Sequence, residues 1–328
     1  MRRREFITVL GGTAVALPFA ARAQQKPATV IGVLNSGGSH EANRLTFAPA
    51  LRRLAEMGYV EGRNLTVEYR VDNQEERLAA VAADLVQRRV NVIFTGGGPA
   101  TSAAKGATTS IPIIFFTGFD PVEAGFVASL NRPGGNVTGV AVLNMEVLIK
   151  RLEMLHELVP TAKLIAFLYG PTRTVRGIDL FVKNFQSAAD AMGVKLIWVD
   201  VSRIEDFEGA FKKIADAGAD ALFVSADVFM LANGKAVVDL AARYKIPAVY
   251  PIRGFAVGGG LVSYGTNYPD AYRLVGDYLG RVLNGEKPED LPVQQVTKLE
   301  LVINMKTAKT LGLEIPVPLL GRADEVIE

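Results

Sequence analysis

Asp120 and Asp227 each follow an apolar run, IPIIFFTGF at 111–119 and ALFVSA at 221–226. Placed at equivalent strand ends and facing one another across a cleft, two such carboxylates could hold one ligand ammonium through charge-assisted hydrogen bonds. Asp120 has a second reading. Asp-Pro-Val-Glu places an N-cap acceptor, a proline at the first helical position and Glu123 where a capping box needs it, so a helix starting at Pro121 is predicted. Capping and ligand contact can coexist, because a carboxylate has two oxygens with several acceptor sites.

A stretch of another chemistry is GGGPATSAA, which contains Gly98, Pro99, Ala100 and Thr101. Glycines let a backbone approach a ligand closely, and a helix N-terminus behind them presents N–H groups and partial positive charge. An anion cradle and an ordinary tight turn both fit the stretch. It is neither a Walker loop nor G-x-G-x-x-G. Asn35 and Ser36 end the first apolar run, Tyr169 ends LIAFLY, and Arg253 follows IPAVYP. Catalytic chemistry finds no comparable support. Cysteine is absent, and His40 and His156 have no paired carboxylate or second ligand near them in sequence. G-x-S-x-G, H-E-x-x-H and the EF-hand pattern are missing too, so neither an enzyme, a metal site nor a cofactor is expected.

The elements that must position these residues alternate regularly. VIGVL (30–34), NLTVEYRV (64–71), VNVIFTGG (90–97) and IPIIFFTG (111–118) read as strands, with amphipathic stretches at 41–57 and 75–89 between them. The grammar restarts after PGGNVTGV (133–140) with LIAFLYG (164–170), VKLIWVDV (194–201), ALFVSAD (221–227) and IPAVYP (246–251). Strands alternating with helices imply parallel sheets covered on both faces. In such sheets ligands bind beyond the carboxyl ends of the strands, which is where the residues above fall. GGLVSYG (259–265) and the helix-like 268–285 suggest a return to the first set, and VTKLELVIN (296–304) a completion of the second.

The first residues, MRRREFITVLGGTAVALPFAARAQQ, carry three arginines, an apolar run and Ala21-Arg22-Ala23 in the order of an export signal cleaved near Ala23. Arg3-Arg4-Glu5-Phe6-Ile7 fits the twin-arginine route. Cleavage removes Arg2, Arg3, Arg4, Arg22 and Glu5 from 36 basic and 34 acidic residues, leaving 32 against 33 and a net charge of −1 rather than +2. The balance therefore favours neither nucleic acid nor an anionic membrane as partner. The expected location is the periplasm, without disulfides.

At the level of motifs the chain resembles the substrate-binding proteins of ABC transporters, the family with tryptophan- and tyrosine-binding members. The matching stretches are IGVLNSGG, LAEMGYVEGRNLTVEYR (54–70), FTGFDPVEAGFVASLNRPGGNVTGV (116–140), GGLVSYGTNYPDAYR (259–273) and LELVINMKTAKTLGLEIP (299–316). The resemblance implies a type I periplasmic-binding-protein fold, two doubly wound parallel-sheet lobes joined by three crossings. The signal peptide at 1–23 would precede lobes at 28–140 plus 255–288 and 141–254 plus 289–328. It further implies a monomer that captures a small solute, an amino acid or another small carboxylate, between the lobes. An ABC permease with its ATPase would be its partner, with no membrane insertion of the mature chain and no catalysis. Cleft positions in the family match Gly98 to Thr101, Asp120 and Asp227. Many relatives have acidic residues in the segment matching RGFAVGGGL (253–261), where this chain has Gly254 and Val257; that side of the cleft would suit a cation less. A periplasmic sensor subunit is the alternative, since docking surfaces carry no readable motif.

Overall fold

In the computed structural model, residues 29–72, 74–142, 145–170 and 178–328 are described. The export signal lies outside them. The first four strands are β1 (Thr29–Asn35), β2 (Leu65–Val71), β3 (Val92–Gly96) and β4 (Ile113–Thr117), followed by β5 (Val137–Val142). They alternate with α1 (His40–Glu56), α2 (Glu75–Gln87) and α3 (Gly98–Ala107). The chain continues through α4 (Met145–Leu158), β6 (Leu164–Tyr169), α5 (Ile178–Ala191), β7 (Lys195–Asp200), α6 (Phe207–Asp216) and β8 (Ala221–Val224). Next come α7 (Val228–Ala232), α8 (Gly234–Arg243), β9 (Ala248–Tyr250), α9 (Arg253–Val257), β10 (Val262–Thr266) and α10 (Tyr268–Leu283). The C-terminal part holds β11 (Gln294–Val296), β12 (Leu299–Asn304), α11 (Met305–Leu311), α12 (Val317–Leu320) and β13 (Glu325–Ile327).

These strands form two sheets, ordered β11-β5-β4-β3-β1-β2 and β13-β12-β10-β9-β8-β6-β7. The first is wholly parallel; in the second only β10 and β12 run antiparallel. Each sheet is buried on both faces, which explains why its central strands are apolar at every position rather than alternately. In β4, Ile114 and Phe116 enter the cluster beneath α1 and α10, while Ile113 and Phe115 enter the one beneath α2 and α3. The same division separates Ile165 and Phe167 from Ala166 and Leu168 in β6.

Strand membership passes between the sheets three times: from β5 to β6, from β10 to β11, and from β11 to β12. GGLVSYG does not rejoin the first lobe as its sequence suggests. β10 pairs with β9 and β12 in the second sheet, and the chain returns only with α10. The reason is local: an apolar run does not name its neighbour, and the short connection through α9 favours pairing with the preceding strand. The return is held by α10 against α1. A Cβ at Gly276 would stand 2.5 Å from the Ala50 carbonyl oxygen, so glycine is what lets these two helices meet. The PGGNVTGV marker runs into β5, a strand that its glycines hide.

Candidate functional site

The carboxyl ends of both sheets face a shared cavity of about 510 Å³. From the first lobe it is lined by Ser36, Gly98, Pro99, Phe116, Tyr268 and Tyr272, and from the second by Arg151, Phe167, Tyr169, Trp198 and Asp227, among others. The volume is that of an ordinary small-molecule site.

Each lobe contributes an aromatic wall. In the first, Phe116 lies 5.2 Å from Tyr268, edge-on, and 5.0 Å from Tyr272. In the second, Trp198 packs 4.5 Å from Phe167 and 6.1 Å from Tyr169. Strand alternation explains the second wall: Phe167 and Tyr169 share one side of β6, and Trp198 is the register partner of Phe167 on β7. Burial pushes the hydroxyls of Tyr268 and Tyr272 far above the usual tyrosine range, so both are neutral.

Of the residues singled out in the sequence, Ser36, Gly98, Pro99, Tyr169 and Asp227 line the cavity. Asn35, Ala100, Thr101, Asp120 and Arg253 do not. Asn35 is buried and donates its amide to the Asn43 Oδ1, shaping the loop before α1. Ala100 belongs to the core on the α2 and α3 side, and Thr101 bonds the Thr95 hydroxyl and the Gly97 carbonyl oxygen, each at 2.9 Å. Arg253 is a surface residue paired with Glu325 at 2.7 Å, and Gly254 and Val257 beside it are likewise outside the lining.

Asp120 is exposed, and one of its oxygens accepts from the amides of Val122 and Glu123. The helix predicted after it is a single run of turns over 121–125, ending where Gly125 takes a φ of 71°. The capping arrangement is therefore present without a helix, while Gly118 and Phe119 before it reach the cavity. Asp227 caps α7 through the Met230 amide at 2.9 Å. Its other oxygen accepts from the Gly170 amide at 2.8 Å and from the Ser225 hydroxyl. Burial raises the Asp227 carboxyl above the usual range, against the opposing pull of those donors and of the Phe229 amide.

One lining residue escaped sequence reasoning. Arg151 is 2% exposed, with its guanidinium 4.6 Å above the Phe223 ring. Its Nε and Nη1 are buried and make no hydrogen bond among the described residues. Burial lowers its pKa to about 9, with a small opposing effect from Tyr268, so it stays charged at neutral pH. The sequence did hold a signal: Arg151 stands at helical spacing from Val147, Leu148 and Leu155, on the apolar stripe of α4. Asn43 and Thr46 of α1 also line the cavity, and nothing in their local sequence distinguishes them from a solvated helix face.

The lobes meet along a seam of small residues. A Cβ at Gly37 would lie 2.9 Å from the Phe229 Cα across the cleft, and one at Gly97 would lie 3.0 Å from a Val228 methyl.

Known proteins fit this geometry. A family model described as ABC transporter substrate binding protein matches residues 34–327. A tyrosine-binding protein of Clostridioides difficile is 28% identical over 266 residues, 80% of this chain and 75% of that one. A Streptococcus pneumoniae ABC domain in complex with L-Trp is 27% identical, with a TM-score of 0.78 over 91% of this chain and 99% of the other. The ligand-free, open structure of a Clostridium difficile substrate binding protein, 25% identical, covers the same shares with a TM-score of 0.58. The overall similarity is thus greater to the L-Trp complex than to the open protein. The chain belongs to the ABC transporter substrate-binding protein family.

Proposed function

We propose that this protein is the exported solute-binding component of an ABC importer, and that it captures a small solute with a flat apolar body and a carboxylate between its lobes. The observation that carries the reading is the cavity itself, lined by aromatic walls from both lobes and by a buried arginine whose Nε and Nη1 have no hydrogen-bond partner among the described residues. Flat ligands gain dispersion and apolar burial between such rings, and a carboxylate matches the planar guanidinium fork. The names of the relatives that bind tyrosine or tryptophan support the aromatic part of this reading. Export through the twin-arginine signal and delivery to a permease complete the role.

The test is a thermal-shift screen of aromatic amino acids and aromatic carboxylates on the mature protein, followed by small-angle scattering. A ligand should raise the melting temperature by mass action and hold the lobes together, lowering the radius of gyration relative to the empty protein. Unchanged melting and scattering with every compound would refute capture of an aromatic solute in the cleft.

A further inference from the structure

An α-amino acid offers two charges, and the cavity is not equally prepared for them. Arg151 is the prepared side: it is buried, its Nε and Nη1 have no hydrogen-bond partner among the described residues, and it lines the cavity between the lobes. A guanidinium does not escape its burial by losing a proton. An unpaired buried charge is strongly unfavourable, so an anion of matching shape is the natural complement.

The side that would receive an ammonium is already occupied. Asp227 uses one oxygen for the Met230 amide and the other for the Gly170 amide and the Ser225 hydroxyl. Gly170 directly follows β6 and Met230 belongs to α7, so the carboxylate ties a strand end to a helix start. Its acceptor sites are spent on structure. Asp179, the second carboxylate in the lining, stands exposed in the first turn of α5. There it complements the helix dipole, and its attraction for a ligand charge is screened by water.

We propose that the ligand is an aromatic carboxylate without an α-ammonium group, its carboxylate on Arg151 and its ring between the Phe116–Tyr268 and Tyr169–Trp198 walls. This rests on the reading of the cleft as the capture site and narrows the chemistry of what is captured. Tyr268, whose hydroxyl burial keeps protonated, lines the same cavity as Arg151 and offers a neutral donor there.

Two matched pairs isolate the ammonium: indolepropionate against L-tryptophan, and hydroxyphenylpropionate against L-tyrosine, each titrated calorimetrically into the mature protein. The acid should bind about tenfold or more tightly than its amino-acid partner in at least one pair, because among the described residues the buried carboxylate of Asp227 is already bonded and Asp179 is exposed, so the ammonium is desolvated without a buried counter-charge. Arg151→Met should remove acid binding by about a hundredfold or more, as expected for the loss of a buried fork, and Arg151→Lys should retain part of it. Circular dichroism and melting of both variants check the fold, and the comparison of acids with amino acids on the parent protein does not depend on them. Amino acids binding as tightly as the acids would overturn the proposal while leaving capture in the cleft intact. Acid binding that survives Arg151→Met in a folded protein would overturn it as well. If no member of either pair binds, the proposal falls together with the capture of aromatic solutes.

Discussion

Gly37→Ala should separate closure from folding. The residue sits in the loop after β1, and its Cβ would lie 2.9 Å from the Cα and 3.0 Å from the backbone nitrogen of Phe229 in the opposite lobe. Carbon contacts settle at about 3.5–4.0 Å, and here the obstacle is backbone at the start of α7, which cannot swing aside. The seam must therefore open by several tenths of an ångström. Overpacking of this kind costs roughly 1–3 kcal/mol, and it is felt only when the lobes are together. Gly37 does not take a positive φ, so alanine adds no backbone strain in an open molecule. The expected result is a loss of affinity of about 5- to 150-fold, with the melting temperature of the empty protein unchanged. Calorimetry with the tightest compound of the screen, and scattering at saturation, read both halves. Parental affinity in Gly37→Ala would refute the seam as a closure contact; a lowered melting temperature without ligand would show that Gly37 acts within its own lobe.

Other outcomes follow from single residues. Asp120→Ala should lower stability by about 1 kcal/mol and Asp120→Asn by only a few tenths, by the usual scale of caps, with ligand affinity unchanged in both; calorimetric affinities and urea midpoints check this. Asp227 has a folded pKa raised above its unfolded value, so the folded state binds more protons and stability falls as pH rises from the unfolded pKa through the folded one. Asp227→Asn should flatten that part of the pH–stability curve, and a curve of parental slope would argue against a buried, raised carboxyl. Replacing Arg3 and Arg4 by lysine should leave precursor in the cytoplasm, and mass spectrometry of the exported parent should find Gln24 at its N-terminus; normal export of the double variant would exclude the twin-arginine route.

The fold was legible because its central strands are buried on both faces. Runs such as IIFFT and ALFV admit little besides a covered parallel strand. What escaped was decided by non-local choices. β5 was not read as a strand, because it overlaps the glycine-containing PGGNVTGV, and β10 carries no mark of the sheet it joins. The rule that ligands gather beyond strand ends led to Ser36, Gly98, Pro99, Tyr169 and Asp227, all of which line the cavity. It could not give side-chain direction, which is why Thr101 turned back to Thr95 and Arg253 outward to Glu325. Asp227 reaches the cavity with its acceptors taken, a fact of hydrogen-bond partners that sequence does not carry. Arg151 was missed because attention stayed on loops, whereas its signal was a charge out of place in the apolar register of a helix.

That misplaced charge also governs the idle protein. Lobes moving apart would bring Arg151 nearer to water; with the lobes together and nothing between them, it is buried with Nε and Nη1 unbonded among the described residues. A stranding penalty of about 3 kcal/mol would make empty closure roughly a hundredfold rarer. A permease that responds to the closed shape would then receive few false signals, and its ATPase would seldom turn over without cargo. On the proposed reading, the residue that would hold the solute would thereby also set how often the empty protein closes.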